Sequence, residues 1–183
     1  MKAIGELVQE HRVIELVLTG LERVAARAEG SVRLEAEQAE KVLEILRNFA
    51  DRCHHGKEER NLFPLMEARG VPRAGGPLGV MLEEHEMGRA HIRAMVEALP
   101  AAAAGEAEAV GRFVEHAQAY VALLRQHIQK EDRVLFPMAA RVLSQEDDAR
   151  LVEAFAGIER EEMGAGVHER YHQWAHELAE SSE

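Results

Sequence analysis

Cysteine is nearly absent from this sequence: Cys53 is the single one in 183 residues. No disulfide can form within the chain, which excludes a disulfide-stapled secreted scaffold and fits a reducing compartment. Long apolar runs are absent too. No segment approaches the roughly 20 apolar residues that cross a membrane, and the first residues do not follow the pattern of a secretory signal. We therefore expect a cytoplasmic protein with no membrane partner.

Basic and aromatic residues are also scarce. There are 22 Lys and Arg against 33 Asp and Glu, which gives a formal net charge of −11 at pH 7. A nucleic-acid partner needs a basic face, so this balance argues against one. Aromatic residues make up only 4% of the chain, whereas Ala, Leu, Glu, Arg and Met are plentiful. This composition is typical of helices rather than strands and predicts an all-α protein.

Apolar spacing and helix breakers divide the chain into four long helices and two short ones. The predicted helices span residues 3–28, 33–68, 77–99, 106–143, 145–156 and 168–180. Four long helices joined by short connections predict an antiparallel up-down-up-down four-helix bundle. Residues 1–143 are therefore assigned to the bundle, and residues 144–183 to a short C-terminal helical extension packed on it.

Histidine is abundant, with ten residues, and its positions reveal an internal repeat. The segment His-His-Gly-Lys-Glu-Glu-Arg-Asn-Leu-Phe-Pro at 54–64 aligns with His-Ile-Gln-Lys-Glu-Asp-Arg-Val-Leu-Phe-Pro at 127–137. The dipeptide Glu-His at 10–11 recurs at 84–85. Each half of the chain therefore has one helix that carries Glu-His and a second helix that carries His-x-x-x-Glu.

The repeated residues predict a metal site. Positions i and i+4 share one face of a helix, so His54 and Glu58 form a two-ligand pair, and the repeat supplies a second such pair. One pair alone is usually a surface ion pair, but two pairs in matched context favour metal binding. Buried imidazoles and carboxylates need charge compensation, which two divalent ions bridged by the glutamates would supply. Nitrogen and oxygen donors without thiolate suit iron, manganese or zinc. The predicted ligands are His11, His54, Glu58, His85, His127 and Glu131.

This doubled pattern, spread over about residues 5–143, resembles the hemerythrin-like (HHE cation-binding) domain family. The resemblance implies a four-helix bundle with two non-haem iron ions, bridged by two carboxylates and by an oxo, hydroxo or water oxygen. It implies that His11 and His54 hold one iron and that His85 and His127 hold the other, with Glu58 and Glu131 as bridges. The small-molecule ligand would be O₂, NO or peroxide.

Oxygen-carrying members of that family have a second histidine four residues after the third-helix histidine, where this chain has Arg89. The difference predicts something other than simple reversible oxygen carriage, with the more open iron on the side of His85 and His127. Glu15, one turn after His11, is a further candidate metal ligand. The alternative for Glu15 is an ion pair with an arginine such as Arg12 or Arg89.

His55 competes with its neighbour for the ligand role, because it has Glu59 four residues later. The repeat aligns His55 with Ile128, so His54 is preferred.

Three functions share these ligands. The first is a protein that binds or senses O₂, NO or iron, whose signal would need a partner protein or a conformational change. The second is a di-iron enzyme that consumes peroxide or handles other reactive oxygen species, and the third is a structural metal bundle without turnover.

A separate His-Glu-x-x-His pattern at 168–172 matches zinc proteases, but the third-ligand pattern of the extended motif is absent, so a protease is disfavoured. His176 would complete a weak zinc site on that helix. The alternative is that Tyr171, Trp174 and Leu178 simply dock the helix on the bundle.

Overall fold

The computed structural model describes residues 1–31, 33–163 and 166–180, and all of its regular structure is helical within those ranges. The α-helices are α1 (Lys2–Ser31), α2 (Ala36–Ile45), α3 (Phe63–Ala68), α4 (Pro77–Ala103), α5 (Ala107–Lys130), α6 (Phe136–Val142), α7 (Gln145–Glu162) and α8 (Val167–Glu180). Of these, no helix is both long and apolar enough to cross a membrane.

Wider π-helical turns interrupt two of the long helices. The π-helical segments are π1 (Leu46–His55), π2 (Glu58–Leu62) and π3 (Glu131–Leu135). The residues at their junctions keep right-handed helical dihedral angles, so 36–68 and 107–142 each form one continuous helical rod. The π-helical segments coincide with the repeated His-x-x-x-Glu motifs, and such turns are frequent at functional sites.

Several helix boundaries differ from those predicted. The second helix begins at Ala36, because Glu35 has an extended backbone (φ −77°, ψ 102°). Pro100 lies inside α4 rather than after it. A proline in the last turn removes a single backbone hydrogen bond, so the helix continues to Ala103. Gly105 follows it with a φ of 87°, in the left-handed region. Helix α7 extends to Glu162, beyond the predicted end at residue 156.

The apolar core consists of two clusters with the repeated motifs between them. On α1 the smaller cluster contains Leu7 and the larger one begins at Val13. The rod 36–68 contributes Cys53 to the larger cluster and Leu62 to the smaller one. Helix α4 and the rod 107–142 also contribute to both clusters, so the predicted ligands of each rod lie close to the boundary between the clusters.

The C-terminal helices pack on this core. Ser144 caps α7 in a reciprocal capping box with Asp147, whose carboxylate also binds Arg69. Helix α8 lies against α1 at Gly20, where an added Cβ would come within 2.8 Å of the Cβ of Leu178. Tyr171 and Leu178 are buried in the larger cluster, and Trp174 packs against it.

Candidate metal centre

The six predicted ligands meet in the gap between the two core clusters, and none is more than 1% exposed. Together with His55, they form two overlapping groups, and within each group the ligand atoms all lie within 4.8 Å of one another. The first group contains His11, His54, Glu58 and Glu131, and the second contains His55, Glu58, His85 and His127. Glu58 belongs to both groups, so the two groups share one carboxylate.

The two glutamates lie where bridging ligands would lie. Oε2 of Glu131 is 3.2 Å from Nε2 of His11 and 3.3 Å from Nε2 of His127, and so faces both groups. The two oxygens of Glu58 divide between the groups. Oε1 lies 3.8 Å from Nε2 of His54, whereas Oε2 lies 3.5 Å from Nε2 of His85.

Unpartnered polar atoms show that this pocket fits cations. All four carboxylate oxygens of Glu58 and Glu131, together with Nε2 of His11, are buried without a hydrogen-bond partner. Buried polar atoms without partners are costly and rare in folded proteins. Metal ions would satisfy these atoms, and the nitrogen and oxygen donors suit iron, manganese or zinc. The buried thiol of Cys53 belongs to neither ligand group.

Charge is divided unevenly between the two glutamates. Burial and the neighbouring charge of Glu131 raise the pKa of Glu58 well above its usual range. Burial would also raise the pKa of Glu131, but His127 and His11 outweigh it and lower that pKa. Burial lowers the pKa of His54 to about 4, whereas Glu131 and Glu84 overcome burial and raise the pKa of His127 to about 9. Protons and metal ions therefore compete for the same atoms.

Each of the four predicted histidines has a carboxylate on its other ring nitrogen. The Nδ1 atoms donate to these carboxylates at 2.7–2.8 Å in the pairs His11–Asp132, His54–Glu10, His85–Glu59 and His127–Glu84. Such bonds fix the tautomer and direct Nε2 at a metal. The pairing also explains why two kinds of acidic residue recur in the repeat. One is the glutamate of each Glu-His dipeptide, and the other is the acidic residue that directly follows the glutamate of each His-x-x-x-Glu motif.

Cations hold these outer carboxylates in turn. Lys57 binds Glu10, and its counterpart in the repeat, Lys130, binds Glu84. Lys57 is fully buried, and its ammonium also contacts Glu6 at 2.7 Å and Glu159 of α7 at 2.6 Å. Although burial opposes ionisation of Glu10, the bonds from His54 and Lys57 lower its pKa.

Comparison with known proteins agrees with this geometry. The hemerythrin HHE cation-binding domain model matches residues 2–139. This chain belongs to the hemerythrin HHE cation-binding family. An uncharacterized protein of Mycobacterium bovis and two of Mycobacterium tuberculosis are each 26% identical to it over 159 residues. The match covers 87% of this chain but only 62% of theirs, so this HHE chain spans less than two thirds of their length. No solved structure matches it significantly.

The structure brings both His54 and His55 of this HHE chain into the centre, where the sequence analysis preferred His54 alone. The two rings enter different ligand groups. Their positions follow from π1, whose wider turn ends at His55 and lets two consecutive side chains face the interior. Alignment with Ile128 concealed this role, because the repeat has a single histidine at the corresponding place. The second group consequently has three imidazoles and one carboxylate, and the first has two imidazoles and two carboxylates.

Glu15, the further candidate metal ligand, lies outside both ligand groups. Its Oε2 lies 3.3 Å from Nε of Arg125, and the side chain is 33% exposed. The alternative of an ion pair is what the structure shows, with Arg125 rather than Arg12 or Arg89 as the partner. The register of α1 directs Glu15 toward α5 at the rim of the centre.

The C-terminal histidines stand apart from the centre. The side chain of His168 lies outside the described residues. His172 packs edge-on against Phe49 with the ring centroids 6.0 Å apart, and His176 is exposed. Neither His172 nor His176 joins a metal-ligand group in the described part of the chain.

Proposed function

We propose that this protein is a non-haem di-iron protein that binds or senses a small ligand such as O₂, NO or peroxide. The observation that carries the proposal is the pair of overlapping ligand groups that share Glu58, with both of its oxygens buried and unpartnered. The proposal includes an antiparallel up-down-up-down bundle of the four long helical rods, 2–31, 36–68, 77–103 and 107–142.

In this proposal one ion is held mainly by His11 and His54, and the other by His85 and His127. Glu58 and Glu131 bridge the two ions. Iron, when bound, supplies reversible one-electron chemistry and open positions for a small ligand.

The chain itself orients the imidazoles through the outer carboxylates and keeps bulk water away. Phe136 stacks on His11 with the centroids 5.4 Å apart, and Phe63 stacks on His85 at 5.9 Å. These phenylalanines occupy matched positions of the repeat, so the same cover lies over both sides of the centre. The histidines beneath them are at most 1% exposed.

Metal content and absorption spectra test the proposal directly. Purified protein should carry two irons per chain and should develop a new near-ultraviolet band when an anaerobic sample is exposed to air. Glu58→Ala and Glu131→Ala should each lose most of the metal, because each removes a bridge. Glu83→Ala, at an exposed glutamate of α4, is the matched control and should keep the metal.

The outcomes separate the candidate functions. A stable ligand-dependent band without turnover supports binding or sensing. Rapid consumption of peroxide by the iron-loaded protein would instead support an enzyme that handles reactive oxygen species. Retention of two irons by both alanine variants would overturn the assignment of the bridges, and one zinc per chain would overturn the di-iron proposal.

A further inference from the structure

The two halves of the repeat differ at three polar positions that meet beside one ion. His55 aligns with Ile128 and Asp51 with Leu124, at the offset of the His-x-x-x-Glu motifs. Arg89 aligns with Glu15, at the offset of the Glu-His motifs. Beside the second ligand group there are therefore a histidine, a carboxylate and an arginine that the matched positions of the other half lack.

We infer that His55 is a third imidazole ligand of the ion held by His85 and His127, and that Asp51 and Arg89 position it. The inference rests on the proposed di-iron function and adds to it a ligand and an asymmetry between the two ions.

The placement of His55 supports a ligand role. The side chain is only 4% exposed, and its ligand atom lies within 4.8 Å of those of Glu58, His85 and His127. The His55 ring stacks on that of His85 with the centroids 3.8 Å apart and the planes 15° apart. Its edge faces His127 at a centroid distance of 5.8 Å. The ring is thus held in the same space as the two established members of the group.

Asp51 lies on the edge of this ring that the outer carboxylates occupy in the other four histidines. Oδ1 of Asp51 is 3.5 Å from Nδ1 of His55, which is longer than the 2.7–2.8 Å hydrogen bonds of the other four, and Nδ1 is buried without a hydrogen-bond partner. A carboxylate on Nδ1 leaves Nε2 for a metal ion.

Arg89 links Asp51 to Glu59, the carboxylate that holds His85. Its Nε donates to Asp51 at 2.8 Å, and its Nη2 donates to Glu59 at 2.6 Å. Asp51 contacts His55 and Glu59 holds His85, so one guanidinium fixes the carboxylates of two imidazoles in the same group. The planar, permanently charged guanidinium suits this task, because it presents several donors in a rigid arrangement.

The consequence is a difference in coordination between the ions. Three imidazoles and Glu58 would surround the second ion, whereas His11, His54, Glu58 and Glu131 would surround the first. The two ions would therefore differ in their number of imidazole ligands, three against two.

Stepwise metal titration tests the inference without relying on activity. Metal-free protein is titrated with Co²⁺, whose visible absorption reports its coordination, and ⁵⁷Fe-loaded protein is examined by Mössbauer spectroscopy for the signal of each iron. His55→Ala should weaken one of the two binding steps by more than the roughly 10–100-fold that loss of an outer partner produces, and should alter one iron signal only. Asp51→Asn and Arg89→Met should weaken the same step by about tenfold, and Arg89→Lys should weaken it less than Arg89→Met.

His176→Ala, at an exposed histidine of α8, is the control and should match the wild type. His54→Ala should affect the other ion. Unchanged binding steps and unchanged spectra in His55→Ala would overturn the inference, as would equal changes at both ions. His55→Asn provides the same test should the alanine variant lose its helical circular dichroism. A wild-type protein that binds fewer than two ions would instead overturn the proposed function itself.

Discussion

Replacement of Glu58 by methionine should stabilise the metal-free protein, and this gain should be largely lost when metal is present. The side chain is fully buried, and neither carboxylate oxygen has a hydrogen-bond partner. Burial and the charge of Glu131 raise its pKa, which means that the folded protein disfavours the ionised form. Methionine has a similar length and brings no polar group that needs a partner.

The expected magnitude follows from these contacts. An unsatisfied buried polar group costs about 1–3 kcal/mol, and replacing buried charged groups by apolar ones often stabilises by about 1–4 kcal/mol. Metal-free Glu58→Met should therefore be about 1–3 kcal/mol more stable than the wild type. An ion at 100 times its dissociation constant adds about 2.7 kcal/mol, so loss of one such ion cancels most or all of the gain.

The gain should also depend on pH. Because the folded-state pKa of Glu58 is raised, the wild type binds its proton more tightly when folded, and this stabilisation is lost as the pH rises through the folded-state pKa. The advantage of metal-free Glu58→Met should therefore grow as the pH rises above the ordinary glutamate range.

Urea denaturation followed by circular dichroism measures both effects, once in a chelator and once with Fe²⁺ under anaerobic conditions. Glu83→Met makes the same substitution at an exposed site and should change stability by less than about 0.5 kcal/mol in both conditions. A metal-free Glu58→Met protein that is less stable than the wild type would refute the reasoning. So would an equal gain in both conditions.

Three further outcomes are expected. Lys57→Met should lower metal-free stability by about 3–5 kcal/mol in urea denaturation, because it leaves Glu10, only 3% exposed, without its buried cation. Adding Glu10→Gln should recover part of that loss, and no recovery would contradict the pairing of Lys57 with Glu10. Glu15→Gln should keep the full metal content by elemental analysis and cost less than about 1 kcal/mol, because its ion pair is partly exposed; loss of metal would restore Glu15 as a ligand. Burial raises the pKa of Cys53 to about 12, so a thiol reagent at pH 8 should label it only in denaturant, and rapid labelling of the folded protein would contradict its burial.

The repeat made most of the centre predictable. The i, i+4 spacing places His54 with Glu58 and His127 with Glu131 whether the local turn is α-helical or slightly wider. The matched Glu-His dipeptides then required that the other two helices contribute to the same place. Apolar periodicity likewise predicted the long helices, because each buries a continuous stripe.

The features that were missed depend on local geometry that periodicity does not encode. The π-helical turns of 46–55 leave no clear mark in a pattern of apolar spacing, so the inward position of His55 was not expected. The outer carboxylates were visible as repeated acids, but only the packed helices show which histidine each one meets. Glu15 has ligand spacing from His11 and yet is directed to Arg125.

The two halves of the repeat complete each other. Asp132 of the second half holds His11 of the first, and Glu59 of the first half holds His85 of the second. Two separate copies of one two-helix unit, related by a twofold axis, would make the same reciprocal contacts and would bind two identical ions. When such a pair is fused into a single polypeptide, the two halves can differ in sequence, because a mutation then changes one half alone. His55 is a change of that kind, and a homodimer of short units would be obliged to repeat it at both ions.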